Sequence, residues 1–294
     1  MTRTTLARGL TPDTLAWKHA GDNLQLLMAG TTLILQVAHP VVGAGVNQFS
    51  VFRKDPWGRL KRTTEWGLRI LYGGENAPQA GQDLRHLHRD IKGQDEAGRK
   101  YFALDPEAYA WVHMTTYYTL VTSQRLFGER PFSEPERRQL YEEWLYQGEV
   151  LGIRRQDMPP TVEDFWRYFQ QMIDQRLEDN EMVRYLLNTS LRRISRPPQL
   201  RWLPQLLWDG LYARAGSLAL LNTLGTLPPE LREKLNLDYG WLAQRRFAFW
   251  RRRVRQVLPL VPRRLRYLPP ALEAFKRQSQ GGQVVGLAEQ SRPA

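Results

Sequence analysis

The pattern of apolar and polar positions along this 294-residue chain predicts helices almost throughout. Asp55-Pro56 and Asp105-Pro106 each place a capping carboxylate directly before a proline, which is typical of a helix start. Glycines that follow an apolar, helix-like stretch are typical of a helix end. These signals predict one helix over residues 56–72, before Gly73-Gly74, and a second over residues 106–127, before Gly128.

Further helices are predicted from the same kinds of signal. Ser133 with Glu136, and Thr161 with Asp164, have the spacing of a capping box. The predicted helices cover residues 134–151, 162–176, 181–193, 203–224 and 239–258. No series of alternating strands is found, so the predicted fold class is all-α. No linker divides the chain, which indicates one domain over residues 1–278. A polar tail at 279–294 is expected to be disordered.

One apolar run, over residues 24–46, is long enough to span a bilayer. Gln36, His39, Pro40 and several glycines interrupt it, and polar groups at membrane depth are costly. We therefore expect a buried core helix that ends near Ala38, followed by an irregular apolar segment.

Composition narrows the classes of protein. The chain has no cysteine, which excludes disulfides, thiolate-bound zinc and iron–sulfur clusters. The first 17 residues lack the apolar stretch of a signal peptide, so a cytoplasmic location is expected. Ten tryptophans and twelve tyrosines suit a core or pocket lined by large rings.

Charge is the second compositional signal. The net charge is +12, and the stretch from Arg245 to Arg266 holds nine arginines and no acidic residue. Such a stretch attracts phosphate, on nucleic acid or on an anionic membrane, or it is a solvated basic helix. No zinc finger, basic zipper or RNA-binding aromatic motif accompanies it, which disfavours nucleic acid. Peripheral contact with an anionic membrane stays open.

His113 is the residue with the most chemical interest. A di-iron site in a helical bundle needs two Glu-x-x-His pairs, and no histidine here has a glutamate three positions before it. His113 lies in the middle of a predicted helix, and Tyr109, Ala110, Thr116 and Tyr117 share its face. Small residues beside rings would admit a flat ligand to an imidazole. From these residues alone, His113 is either a core histidine or a haem ligand.

Arg59 and Thr63 are four residues apart and share one helical face, with Arg62 alongside. A guanidinium can pair with a carboxylate such as a haem propionate, and a threonine hydroxyl can donate to iron-bound oxygen. The other interpretation is a surface arginine with a helix-interior threonine. Three other histidines are expected to be structural: His39, His86 and His88. The last two point to different faces of a helix, so at most one faces inward.

Five segments, in order, make the chain resemble the MpaB and latex-clearing-protein (rubber oxygenase) family of haem oxygenases, over about residues 24–270. They are QVAHPVVGAGVNQFSVFRKDPWGRLKRTTEW, LRHLHRDIKG, YFALDPEAYAWVHMT, LYEEWLYQGEVLGIRRQDMPPTVEDFWRYF, and the ending LNLDYGWLAQRRFAFW with its later LP and Arg elements. The resemblance implies a single large, globin-like domain of many helices that encloses a haem pocket.

The resemblance also implies roles for particular residues. His113 matches the proximal ligand of haem b, and Arg59 and Thr63 match a pair that lies next to the haem. Arg62 stands where latex-clearing protein has a lysine that can close the distal iron site; arginine stays protonated and is a poor iron ligand. Tyr117, on the face of His113, is expected to contact the cofactor.

One departure limits the transfer. The rubber-cleaving enzymes have a glutamate upstream of the Arg-x-x-x-Thr helix, whereas residues 37–54 hold no acidic residue here. Rubber cleavage is therefore not expected. The function expected is a haem b-dependent oxygenase that uses dioxygen on an apolar, isoprenoid or lipid-like substrate, with Arg59 and Thr63 as catalytic residues. The alternatives are a non-catalytic haem-binding or sensing protein, and a basic helical protein bound to nucleic acid.

Overall fold

Fourteen α-helices and one short β-hairpin form the regular structure of residues 9–190, 196 and 200–279, which the computed structural model describes. Helices α1 to α14 are Leu15–His19, Ala29–Val37, Pro40–Phe49, Pro56–Tyr72, Ala77–His88, Pro106–Phe127, Glu134–Val150, Val162–Gln175, Glu181–Tyr185, Gln205–Thr226, Pro229–Lys234, Trp241–Val257, Arg263–Arg266 and Pro269–Ser279. Short 3₁₀ turns cover Asn23–Met28, Val51–Arg53, Gly74–Asn76, Arg155–Asp157 and Leu258–Leu260, and a π turn covers Leu186–Ser190. The predicted all-α class is confirmed.

The predicted helix starts are confirmed by their capping contacts. Asp55 accepts a hydrogen bond of 2.8 Å from the backbone amide three residues on, and Asp105 accepts one of 3.0 Å in the same way. Ser133 and Glu136 form a reciprocal capping box at the start of α7. Hydrogen bonds from Arg130 and from the Ser133 amide lower the pKa of Glu136 to about 2. Local side chains therefore satisfy the free amides at these helix ends.

The apolar run differs from its prediction. Helix α2 ends at Val37, close to the expected end, but the segment expected to be irregular is helix α3. Pro40 occupies the first turn of α3, where its missing N–H costs nothing. A Cβ at Gly43 would lie 2.5 Å from the Val37 carbonyl oxygen, so this glycine allows a close approach and does not signal irregular chain.

Among the described residues, no single helix combines the length and the hydropathy that a membrane span requires. The stretches Asn23–Val37 and Pro40–Phe49 meet them only as a pair, bent by 105°.

Two other parts of the structure differ from what the sequence predicts. A hairpin of β1 (Lys92–Gln94) and β2 (Lys100–Phe102), with Gly93 opposite Tyr101, was not predicted, because three-residue strands are too short to show alternation. The helix predicted over 181–193 is α9 followed by the π turn. Residues 191–193, and the predicted tail apart from Ser279, lie outside the described residues.

Helix α6 lies at the centre of the molecule. Sixteen of its 22 residues are buried, and it packs against α2, α7 and α12. Several of its polar side chains are hydrogen-bonded to other helices: Trp111 Nε1 donates to the Leu35 carbonyl oxygen at 2.8 Å, and Thr119 bonds to Thr32. On α7, the buried Glu143 accepts hydrogen bonds from two backbone amides at the start of α1. The centre of α6, which carries His113, is therefore held on several sides.

Candidate functional site

His113 lies between α6 and α7 and is only 6% exposed. Its Nε2 lies 2.8 Å from the carbonyl oxygen of Trp144. Burial lowers the pKa of His113 to about 4, although the hydrogen bond to that carbonyl opposes the shift, so the ring is neutral at pH 7. Because a carbonyl oxygen can only accept, Nε2 carries the proton in this arrangement. The lone pair of the imidazole is therefore on Nδ1.

The Trp144 indole holds the imidazole from one side. The two rings are stacked, with centroids 5.8 Å apart and planes inclined by 13°. Trp144 Nε1 donates back to α6, to Thr116 Oγ1 at 3.2 Å and to the His113 carbonyl oxygen at 3.3 Å. One residue of α7 thus fixes His113 through both its main chain and its side chain.

Gly148 lies against the edge of the same imidazole, one turn further along α7. A Cβ at this position would lie 3.1 Å from His113 Cδ2 and would overlap Met158 Sδ. Glycine in a helix interior costs about 1 kcal/mol relative to alanine. This glycine therefore has a packing reason, which is the close approach of α7 to His113 and Met158.

Arg59 and Thr63 are brought together on α4, as their spacing predicts. The Arg59 guanidinium donates to Thr63 Oγ1, and its Nε donates to Ser50 Oγ at 3.3 Å. Thr63 donates in turn to the Arg59 carbonyl oxygen at 2.9 Å. Burial and then the charge of Arg62 lower the pKa of Arg59. Within the described residues no carboxylate forms an ion pair with Arg59, so a half-buried cation lacks an anionic partner.

Helix α5 packs against α4, which carries Arg59, and against α7, which carries Trp144. The His88 ring meets the Tyr109 ring with centroids 6.0 Å apart, and Tyr109 lies one turn before His113 on α6. Burial lowers the pKa of His88, and the positive charge of Arg59 lowers it further. Tyr109 Oη is buried without a hydrogen-bond partner in the described part of the chain. Arg59 and His113 are thus linked only indirectly, through His88 and Tyr109.

Two other predicted site residues, Arg62 and Tyr117, have partners of their own. Arg62 is exposed and forms an ion pair of 3.4 Å with Asp55 at the start of α4. Tyr117 lies in the aromatic core, with its ring 4.9 Å from Tyr141 and 4.8 Å from Phe165, centroid to centroid. Its hydroxyl donates to a main-chain carbonyl on α7, and burial raises its pKa.

The three histidines expected to be structural differ in burial. His39 precedes α3, is fully buried, and places Nε2 3.3 Å from Glu107 Oε1; burial lowers its pKa. His86 is exposed and His88 is half-buried, so one of the pair faces inward. No group of three or more His, Asp or Glu side chains able to hold a metal ion occurs within residues 9–190 and 200–279.

An open depression of about 730 Å³ lies elsewhere, beside the β-hairpin. Its lining includes Val41, Arg89, Lys92, Tyr101 and Asp105 but neither Arg59 nor His113. The surroundings of the His113 imidazole, and not this depression, therefore mark the candidate site.

Sequence reasoning missed three contributors to the site. His88 was expected to be structural, and Trp144 and Gly148 were not singled out. Gly148 left a usable signal, since a glycine inside an amphipathic helix often marks close packing. The Trp144 carbonyl left none, because every residue has a main-chain carbonyl.

Fold and site together define a helical protein with a buried, neutral imidazole and, on another helix, a half-buried arginine that has no carboxylate partner among the described residues. The chain belongs to the family described as ER-bound oxygenase mpaB/B'/rubber oxygenase, catalytic domain, whose family model matches residues 17–258. The resemblance stated from the sequence is confirmed, and the chain is an oxygenase-type domain.

Its curated relatives include an uncharacterized protein of Mycobacterium bovis and one of Mycobacterium tuberculosis. Each is 27% identical over 248 residues, which is 81% of this chain and 91% of the relative. No solved structure matches the chain with significance.

Proposed function

We propose that this chain is a haem b-dependent oxygenase that uses dioxygen on an apolar, isoprenoid or lipid-like substrate, with His113 as the iron ligand. The observation that carries the proposal is the state of His113: buried, neutral, and with one ring nitrogen held by a carbonyl. Haem, when bound, supplies the activation of dioxygen, and the protein supplies orientation and surroundings.

His113 meets two chemical requirements of a metal ligand, a neutral ring and one ring nitrogen held by a carbonyl, and in this arrangement the nitrogen left for iron is Nδ1. A metal-ligating histidine donates its second ring N–H to a carbonyl or carboxylate, which fixes the tautomer and raises the basicity of the ligating nitrogen. The Trp144 carbonyl fills that role at Nε2. Because the pKa of His113 is about 4, a proton does not compete for the lone pair at neutral pH.

Arg59 is the residue suited to bind a haem propionate. Its guanidinium is half-buried and, among the described residues, meets hydroxyls but no carboxylate. A charge-assisted pair with a propionate would supply the missing anion. Thr63 holds the guanidinium through Oγ1, so its first role is to orient Arg59.

Arg62 and Tyr117 act less directly. Arg62 is exposed and paired with Asp55 at the start of α4, and a guanidinium is a poor iron ligand, so in this proposal Arg62 does not bind iron. The Tyr117 ring lies 6.4 Å from that of Trp144, centroid to centroid, and so supports the ring that stacks on His113. Tyr117 thus contributes through packing.

The side chains around His113 are suited to an apolar substrate. Trp144 stacks on His113, Tyr109 lies one turn before it on α6, and Met158 lies against Gly148. Such side chains exclude water and offer dispersion contacts without hydrogen-bond partners for a polar substrate. The unpaired Tyr109 hydroxyl is the exception, and it could donate to the cofactor or to an oxygen of the substrate.

A visible spectrum of the full chain, reconstituted with haemin, tests the ligand. The wild-type protein is expected to bind one haem and to show a Soret band, and His113→Ala is expected to lose it. His86→Ala is the matched control, because His86 is exposed on α5 and has no role in the proposal. Added imidazole should restore a Soret band to His113→Ala by replacing the missing ligand.

The outcomes are distinct. A Soret band that is unchanged in His113→Ala would refute the ligand assignment. Loss of the band in both variants would show that it depends on overall folding and not on the ligand. Arg59→Gln is expected to weaken haem binding about tenfold, the value of one charge-assisted pair, while the position of the Soret band is kept.

A non-catalytic haem-binding protein is the second candidate. The observation that favours it is the lack of any acidic residue in residues 37–54. Oxygen consumption by the haem-loaded protein with unsaturated terpenes or fatty acids, followed by mass spectrometry, separates the two. Oxygenated products formed by wild type but not by His113→Ala support the oxygenase. Haem binding without turnover supports the alternative.

A further inference from the structure

The outward face of α12 has a pattern that the site does not use. Apolar and basic residues alternate along it at helical spacing: Leu242, Arg246, Phe249, Arg253 and Val257. All five are exposed, and Phe249 is 60% exposed. The opposite face of α12, which includes Phe247 and Val254, packs into the core. The outward stripe is about 22 Å long, because an α-helix rises about 1.5 Å per residue.

The arginines of this stripe are free of carboxylates. Residues 239–279 contain eleven basic residues and one acidic residue, Glu273. No carboxylate in the described part of the chain lies within ion-pair distance of Arg246 or Arg253. Arg253 instead covers the Phe249 ring, at 5.0 Å from its centroid. By contrast, Arg266 is held by Asp22 and is a structural residue.

We propose that the outward face of α12 binds the surface of an anionic lipid membrane. Leucine, phenylalanine and valine side chains would enter the boundary between headgroups and acyl chains, while the guanidinium groups meet lipid phosphates. Charge complementarity selects this partner, because the stripe has no acidic residue to repel the anionic headgroups. Nucleic acid would satisfy the arginines but would leave the three apolar side chains in water.

Further exposed apolar side chains lie just after α12 in the sequence and on α10, the helix that packs against α12. Leu260 and Leu265 follow α12 and are both strongly exposed. Helix α10, which packs against α12, exposes apolar side chains at and just before its start: Trp202, Leu206, Leu207 and Leu211. Exposed apolar side chains are thus not confined to the stripe.

Vesicle co-sedimentation of the full chain tests the proposal. Wild type is expected to sediment with phosphatidylcholine vesicles that contain phosphatidylserine, and much less with phosphatidylcholine alone. Arg246→Gln and Arg253→Gln are each expected to weaken binding about fivefold, since one basic residue near an anionic surface is worth about that factor. Phe249→Ser is expected to weaken binding at least about tenfold at any salt concentration.

Controls come from the end of α5, where Leu87 is 55% exposed, and from Arg89, which directly follows α5 and is also exposed. Leu87→Ser and Arg89→Gln should leave vesicle binding unchanged. Equal binding to both kinds of vesicle, or equal effects of the α5 and α12 variants, would overturn the proposal. So would binding of duplex DNA in place of vesicles, or a wild-type dimer in light scattering that Phe249→Ser dissociates.

Discussion

Replacement of Gly148 by alanine tests how tightly α7 holds His113. In an unobstructed helix interior, glycine to alanine is stabilising by up to about 1 kcal/mol, because alanine has the higher helix propensity. Gly67, in the interior of α4, has no atom within 4 Å of the position a Cβ would take. Gly67→Ala is therefore the matched control and should show that gain.

At Gly148 the same methyl group meets neighbours. It would overlap Met158 Sδ, lie 2.9 Å from Met158 Cε, and lie 3.1 Å from His113 Cδ2. Insertion of a methyl group into a packed region costs about 1–3 kcal/mol. After the gain in propensity is subtracted, Gly148→Ala should be destabilised by up to about 2 kcal/mol. The difference between the two variants should be about 1–3 kcal/mol.

Urea unfolding followed by circular dichroism measures both free energies of unfolding. In the haem-loaded protein, Gly148→Ala should also move the Soret band or weaken haem binding, because the methyl group displaces His113 from Trp144. Gly67→Ala should do neither. If both variants are stabilised to the same extent and their spectra match wild type, then α7 does not clamp His113 and the reasoning from Gly148 is wrong.

Two further predictions concern buried titratable groups. Burial holds the pKa of His113 near 4, whereas an unfolded imidazole titrates near 6.5. The unfolded chain therefore takes up this proton first, and the apoprotein should lose stability as the pH falls from 6.5 towards 4. His113→Gln should flatten that loss in urea unfolding at several pH values, and an unchanged slope would contradict the shift. Glu143 is buried and accepts two main-chain hydrogen bonds from α1, at 2.7 and 3.1 Å, so Glu143→Gln should cost about 1–3 kcal/mol of unfolding free energy. The control is Glu142→Gln, at the exposed neighbouring residue, which should lower the free energy of unfolding by at most about 1 kcal/mol. If both variants lose the same unfolding free energy, the buried hydrogen bonds of Glu143 contribute little.

The helix starts could be predicted because each depends on residues close together in sequence. Asp55, Asp105 and Ser133 cap amides only three positions away, so the sequence carries the whole signal. Helix α3 was missed because its glycines were taken for chain breaks. Gly43 instead allows close contact with the end of α2 and with Asn180, a residue far along the chain. Contacts between residues so far apart in the chain leave no pattern in the local sequence.

Only part of the candidate site, like only part of the fold, could be predicted from the sequence. His113 and the pairing of Arg59 with Thr63 follow from helical spacing and from the family resemblance. The proton position on His113 does not, because it depends on a main-chain carbonyl of Trp144, 31 residues away. The same fact makes the tautomer robust: any residue at position 144 would supply a carbonyl, whereas only an aromatic side chain would supply the stacking.

The iron site and the membrane-binding face that we propose are separate parts of the molecule. Helix α12 meets α6 where Phe247 contacts Phe127, with ring centroids 6.2 Å apart. Phe127 ends α6, fourteen residues after His113, which at about 1.5 Å per residue places the contact about 21 Å along the helix from the imidazole. The outward face of α12 points away from that contact. A membrane-bound substrate would therefore have to leave the lipid to reach His113, and variants of Phe249 should alter vesicle binding without changing the spectrum of the bound haem.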